Sequence, residues 1–272
     1  MNSELEQKST EELIELALAE KDEHIMSQYI TVLHDRGNLD VLKQAQKLCQ
    51  SKNLKEKDIG IYILGQLGVP ERTFPNECLH ILLQLLETEN NPNILCAIGI
   101  ALGHLKDNRA VKSLAKFKNH PHSDVRYSVV SGLLCQEDNT AIETLIELSS
   151  DQDENVRNWA TFGLGSQVDA NTTDIIEALW KRLIEEKKDT NTSHEIYREA
   201  LVGLAKRKDE RVVEVLLREL ESGCVGILVV EAAEEIGDVK LYPALVKLKE
   251  WWDGDQELLE RAIESCHDKT TQ

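Results

Sequence analysis

The feature that most constrains the fold of this sequence is one short pattern that occurs seven times. An apolar residue, usually after a polar one, is followed eight positions later by a second apolar residue, as in Val125 to Leu133 and Val156 to Leu164. The other copies begin at Ile25, Ile59, Ile94, Ile196 and Leu228. Successive copies start 31 to 40 residues apart, a spacing typical of stacked helical repeats. We therefore expect a protein that offers a long surface to a partner.

Composition agrees with an all-helical chain. The sequence has only 5 Pro, 14 Gly and 4% aromatic residues, and no long stretch alternates apolar and polar residues as a strand would. We predict a right-handed α-solenoid of about seven helix pairs, with residues 1–272 forming one domain. Residues 1–20 and 251–272 are predicted to be its capping helices, because Ser9 and Glu12 have capping-box spacing and Trp251 and Trp252 can close the core.

The net charge of −18 narrows the range of partners. Such a charge repels nucleic acid and anionic membranes and attracts basic proteins, although acidity that merely keeps the protein soluble explains it equally well. The acidic residues cluster at turns, where they would steer a basic partner. Six cysteines without a C-x-x-C spacing favour a reducing compartment. With neither a signal peptide nor a membrane-spanning segment in the sequence, we expect a cytoplasmic protein.

Individual repeats predict how the helices pack. Val156, Trp159 and Leu164 share one apolar face of a helix, and Gly165 is predicted to end it in the left-handed conformation. Small residues recur seven positions after the start of the pattern, where they would let neighbouring helices approach closely. These residues are Ala101, Gly132, Gly163 and Gly203.

The segments Asp124-Val-Arg126 and Asn155-Val-Arg157 resemble HEAT repeats of the bacterial type first associated with phycobilisome lyases. The resemblance implies that the Val-Arg helix is the second of its pair and lines a concave surface. It places that surface two and six positions after the repeat Val or Ile. The partner-binding residues so implied are Tyr127, Asn158, Phe162, Arg198 and Glu234, and the same rule selects Val202 and Val230. Arg126 and Arg157 would have a structural role, pairing with acids of adjacent units.

A narrower resemblance concerns the segments 58–66, 153–160 and 205–212. They are similar to enterobacterial HEAT proteins that are encoded beside Rhs-type polymorphic toxins and regarded as their immunity proteins. This resemblance implies a protein that binds and silences a toxin domain without catalysing a reaction.

Candidate chemical groups do not form a convincing active site in the sequence. His194 and Glu195 form one His-Glu pair, whereas the HEAT-type hydroxylases that bind two iron ions use several. His104, His120 and His122 lack a carboxylate or cysteine to complete a metal site. A HEAT-like DNA glycosylase would need a cationic groove. We therefore predict no catalytic residue, no metal and no cofactor.

The most favoured function is therefore an immunity-type inhibitor that binds a basic toxin domain as a monomer. Two alternatives remain open at this stage. One is a component of a bilin lyase acting on phycobiliproteins, which would bind an open-chain tetrapyrrole. The other is a general assembly scaffold with several weak partners.

Overall fold

The computed structural model describes residues 2–186 and 194–267, and in these ranges it contains seventeen α-helices and no β-strand. The all-α fold class is therefore confirmed. The helices are α1 Asn2–Glu6, α2 Thr10–Ala19, α3 Glu23–Arg36, α4 Leu39–Cys49, α5 Leu54–Gly65, α6 Pro75–Thr88, α7 Pro92–Leu105, α8 Val111–Ala115, α9 Ser123–Leu133, α10 Asn139–Leu148, α11 Glu154–Phe162, α12 Thr173–Glu186, α13 His194–Lys206, α14 Val213–Leu220, α15 Ile227–Ile236, α16 Tyr242–Leu248 and α17 Gln256–Ser265.

The chain divides into two compact units, Met1–Ala141 and Ile142–Gln272, with the boundary inside α10. In the first unit, four pairs of consecutive helices pack together: α2 with α3, α4 with α5, α6 with α7, and α8 with α9. The second helices of these pairs also stack on one another, in the order α3, α5, α7 and α9. This arrangement gives two layers of helices with the apolar side chains between them.

The second unit repeats the same plan. Here α12 packs with α13, α14 with α15, and α16 with α17, while α11, α13, α15 and α17 stack in order. Four such helix pairs in the first unit and three in the second make seven among the described residues, in agreement with the predicted number. The exposed side of α11, α13, α15 and α17 is called the odd-helix face below.

Small residues bring the stacked helices into backbone contact, as predicted. A Cβ atom added to Gly65 would lie 3.0 Å from the Cα of Ala101, and one added to Gly103 would lie 3.1 Å from the Cα of Gly132. Larger side chains at these crossings would force the helices apart. The close stacking of repeats therefore depends on residue size at a few positions.

Basic side chains cover the carboxyl ends of several helices. Lys55 Nζ donates to the carbonyl oxygens of Leu18 and Glu20 at 2.7 Å each, beyond the last turn of α2. Arg72 similarly donates to the carbonyls of Gly65 and His104 at 2.6 Å. A cation at the negative end of a helix dipole is favourable and satisfies carbonyls that the helix leaves unpaired. These cations therefore stabilise the fold.

The two ends of the described chain agree with most of the sequence prediction. Ser9 and Glu12 form the capping box at the start of α2. Near the other end, Trp252 is buried and its indole Nε1 donates to the Val225 carbonyl at 2.8 Å. The prediction that Trp251 also closes the core is wrong, because its side chain is 47% exposed. Residues 268–272 of the predicted capping segment 251–272 lie outside the described residues.

Candidate protein-binding face

Helix α11 carries two of the predicted binding residues. It begins after Asp153, whose side chain accepts a hydrogen bond from the Val156 backbone N–H at 3.2 Å. Val156 is fully buried, and this sets the rotation of the helix so that Asn158 and Phe162 are half-exposed on its other side. The sequence prediction that Trp159 belongs to the buried face is wrong, because its side chain is 41% exposed.

The end of α11 also differs from the prediction. Instead of ending at a left-handed Gly165, the chain continues into a π-helical turn over Gly163–Gln167. Gly165 is not among the residues with positive φ, and it packs against Gly203 of α13. Wide turns of this kind are often found at functional sites. The turn directly follows Phe162 and contains Ser166.

Polar contacts link α11 to α13 along the odd-helix face. The Asn158 side-chain amide donates to Glu195 Oε2 at 3.3 Å, and Ser166 Oγ donates to Glu199 Oε2 at 3.5 Å. Phe162, which lies between these two contacts in sequence, packs edge-to-face against Trp159 with ring centroids 5.7 Å apart. An aromatic pair thus lies next to two carboxylates.

The face continues over α15 and α17. Arg198 of α13 lies against Gly226, where an added Cβ would be 3.0 Å from the guanidinium carbon. Glu234 of α15 accepts a hydrogen bond from Arg261 Nε at 2.8 Å. Val202 and Val230, which the repeat rule also selected, are fully buried. The rule therefore does not hold at these two positions, because their side chains belong to the core between the helices.

Glu199 is a partly buried carboxyl with other charged side chains nearby. Burial of this carboxyl, and next the negative charge of Glu231, raise its pKa above the ordinary value for glutamate. Glu231 itself is 3.6 Å from Lys206 Nζ. The centre of the face therefore holds more carboxylates than nearby cations.

Tyr127 lies on α9, in the first unit, where its side chain is half-buried. Its neighbour Arg126 is 5% exposed and donates from Nη1 to the carbonyls of His120 and Pro121 at 2.8 and 3.2 Å. The guanidinium thus holds the loop that leads into its own helix.

Arg157 makes the equivalent contacts in the second unit. Its Nη1 donates to the carbonyls of Asp151 and Gln152 at 2.9 and 3.1 Å. Its Nε also donates to Glu186 Oε1 of α12 at 3.0 Å, a carboxylate that accepts a second hydrogen bond from Arg182. Arg157 thus holds the loop before α11 and pairs with an acid of α12.

Sequence reasoning missed Arg207, which supports the π-helical turn. Its guanidinium is buried and donates to the carbonyls of Leu164, Val168 and Ala170, among others, at 2.7 to 3.2 Å. Arg207 lies in a Lys-Arg-Lys run that reads as a solvated charge cluster. The sequence feature that could have predicted this role is the position of Arg207 just after the last turn of α13, where basic residues often cap carbonyls.

The described residues do not form a metal site. Among the described side chains, no three His, Cys, Asp or Glu residues are placed to hold an ion. His120 and His122 have ring centroids 6.4 Å apart, and the His194 side chain lies outside the described residues.

In the part of the chain that is described, no helix combines the length and the apolar character needed to cross a membrane.

Comparison with known proteins supports the repeat assignment. Residues 79–165 match the HEAT-repeat family. The chain is 29% identical over 239 residues to protein YibA of Escherichia coli K12, covering 86% of this chain and 82% of YibA, and the YibA of strain O157:H7 matches equally. The X-ray structure of E. coli YibA superposes with a TM-score of 0.77 at 26% identity, covering 97% of this chain and 94% of that one.

An engineered protein of known structure shares the fold alone, with a TM-score of 0.57 and 19% identity over 93% of this chain and 77% of its own. Residues 79–165 therefore match HEAT repeats, and the chain is similar to YibA over most of its length. This relationship agrees with a scaffold-like protein.

Proposed function

We propose that this protein is a non-catalytic binding protein, and that its partner is a basic toxin domain, which it neutralises as an immunity protein. The observation that carries the proposal is the pair of half-exposed side chains Phe162 and Arg198 on the neighbouring helices α11 and α13. Aromatic and arginine side chains are the most frequent anchors of protein interfaces. At such positions solvated Lys or Glu would serve the fold equally well.

Three further observations support the proposal. The net charge of −18 favours a basic partner. HEAT repeats and the relationship to YibA agree with a scaffold. The immunity role itself rests on the resemblance of the segments 58–66, 153–160 and 205–212 to HEAT proteins encoded beside Rhs-type toxins. We further propose that the protein acts in the cytoplasm as a monomer and without a cofactor.

The test is affinity purification of the tagged protein from its own host, with identification and stoichiometry of whatever copurifies. The double variant Phe162→Ala/Arg198→Ala is the matched control. We expect one basic protein at a one-to-one ratio, which the variant loses. Expression of that protein alone should stop bacterial growth, and coexpression of the present chain should restore it. A partner that does not inhibit growth would reject the immunity role.

The bilin-lyase alternative is tested with the same preparation. A lyase component should change the absorbance of an added open-chain tetrapyrrole and should copurify with a phycobiliprotein. We expect neither result, because the odd-helix face offers an exposed surface with aromatic and charged groups rather than an enclosed pocket.

A further inference from the structure

The odd-helix face places aromatic rings beside two carboxylates, Glu195 and Glu199, that form no ion pair with the described residues. Trp159 and Phe162 pack edge-to-face at 5.7 Å, and Trp159 is 41% exposed. On the adjacent helix, Glu195 and Glu199 accept hydrogen bonds from Asn158 and Ser166. Both donors are neutral, so the negative charge of the two carboxylates is not balanced by these contacts.

Two cations of this face are paired with other acids. Lys206 lies 3.6 Å from Glu231, and Arg261 donates to Glu234. The charge of Lys206 also acts on Glu199, although the two side chains form no ion pair. Glu195 and Glu199 are four residues apart on α13, a spacing at which like charges on a helix repel. Burial first, and next the charge of Glu231, raise the pKa of Glu199, whereas the charge of Lys206 lowers it. A positive group placed here would relieve the repulsion between the two carboxylates.

We propose that this part of the odd-helix face binds an arginine or lysine side chain of a protein partner. Glu195 and Glu199 accept its hydrogen bonds, and the Phe162 ring packs against its cationic group. Hydrogen bonds between ionised groups are among the strongest in proteins, and a cation over an aromatic ring adds a second attraction. The inference rests on the proposed function, because it specifies the chemistry that the partner presents.

The probe for this site is a blocked tetra-arginine peptide, titrated calorimetrically into the full chain at about 0.15 M salt to screen diffuse surface attraction. The test variant is Glu195→Gln/Glu199→Gln. The matched control is Glu210→Gln/Glu214→Gln, which removes the same charge from an exposed pair with the same spacing. Glu210 lies in the 3-10 turn just before α14, and Glu214 lies in the first turn of α14.

We expect the face variant to weaken peptide binding at least about five-fold, and the control variant less than about two-fold. Equal weakening by both pairs would mean that the peptide senses only the net charge and would overturn the proposal. Unchanged binding by the face variant would overturn it as well. Circular dichroism and melting of each variant establish that the fold is retained.

The role of the ring is tested separately. Phe162→Leu keeps an apolar side chain but loses the π system, whereas Phe162→Tyr keeps it. We expect the Leu variant to bind the peptide about three-fold more weakly and the Tyr variant to bind like the parent protein. If the Leu variant binds the peptide as tightly as the parent protein, the Phe162 ring is not part of the site.

This inference and the proposed function can fail independently. A toxin that binds the parent chain and the Glu195→Gln/Glu199→Gln variant equally well would uphold the proposed function and overturn the inference. Selective peptide binding in a chain that captures no toxin would uphold the cation site and reject the immunity role.

Discussion

Gly203 of α13 meets Gly165 of the π-helical turn so closely that a Cβ added to Gly203 would lie 2.5 Å from the Gly165 Cα. The same added atom would lie 3.0 Å from Cδ1 of Leu179 in α12. The backbone on one side and a packed leucine on the other leave no space for a side chain. This contact sets the separation between α13 and the end of α11.

Replacement of Gly203 by Val should therefore destabilise the second unit. We expect the free energy of unfolding to fall by about 1–3 kcal/mol, since overpacking must displace backbone atoms. Urea denaturation followed by circular dichroism measures the change. The control is Gly223→Asn, because nothing lies within 4 Å of a Cβ at Gly223 and Asn tolerates its positive φ. Similar losses for both variants would contradict the close approach.

Arg207→Met should also destabilise the protein, although it keeps an unbranched side chain. It leaves the buried carbonyls of Leu164 and Val168 without the donor that Arg207 supplies. We expect a loss of about 3 kcal/mol, because each unsatisfied buried acceptor is costly. Arg218→Met at an exposed position should change unfolding by less than about 0.5 kcal/mol. A small effect at Arg207 would mean that the π-helical turn does not depend on it.

Alanine substitution of Tyr127, Phe162 and Arg198, singly, should weaken binding of the partner identified by copurification. We expect about ten-fold or greater loss of affinity for at least one of them, with helical content and melting temperature nearly unchanged because all three are only half-buried. Surface plasmon resonance measures the affinity. Undiminished binding by all three variants would show that the partner uses another surface.

Salt should slow the association of that partner. The chain carries a net charge of −18, so a basic partner is steered by long-range attraction that ions screen. Raising sodium chloride from about 0.05 to 0.5 M should lower the association rate about ten-fold and change the dissociation rate much less. Stopped-flow kinetics measures both rates. An association rate independent of salt would show that electrostatic steering does not contribute to binding.

His34 should make stability depend on pH. Burial lowers the pKa of its imidazole, although a ring nitrogen is hydrogen-bonded to the Tyr62 carbonyl at 3.1 Å. The unfolded chain then binds a proton more readily than the folded one, so stability is lost as pH falls below about 6.5, the ordinary histidine pKa. Chemical denaturation at pH 7.5 and 5.5 measures the loss.

The matched variant for this prediction is His34→Gln. Because Gln does not titrate, the free energy of unfolding should fall less between pH 7.5 and 5.5 in the variant than in the parent chain. The pKa of His104 is also lowered, by burial and by Arg72, so the variant should keep part of the dependence. An identical loss in both proteins would show that His34 does not contribute.

Local sequence signals predicted much of the repeat fold. The eight-residue spacing identified most buried positions of the stacked helices, and Val156 and Leu164 are both fully buried. It was wrong at Ile25, whose side chain is 38% exposed. The spacing of Ser9 and Glu12 identified the capping box. These features depend on contacts within one or two helical turns, so periodicity and residue type are sufficient to recognise them.

The candidate site was less predictable. Asn158, Phe162 and Arg198 are half-exposed on the helices where the HEAT pattern placed them, but their role in binding remains a prediction. The same pattern selected Val202, which the core buries. Sequence spacing gives the rotation of a residue about its own helix, whereas the neighbouring helices decide whether that side is covered.

The helical class, the repeat period and the small residues at the helix crossings could be predicted from residue order, because each follows from local periodicity and side-chain volume. The contacts of Arg207 with the π-helical turn, and the position of Glu195 and Glu199 beside Phe162, became evident from the packing of the helices. Those relationships join residues 33 to 43 positions apart. Such contacts depend on how the helices stack, and the pattern within a single helix does not encode that geometry.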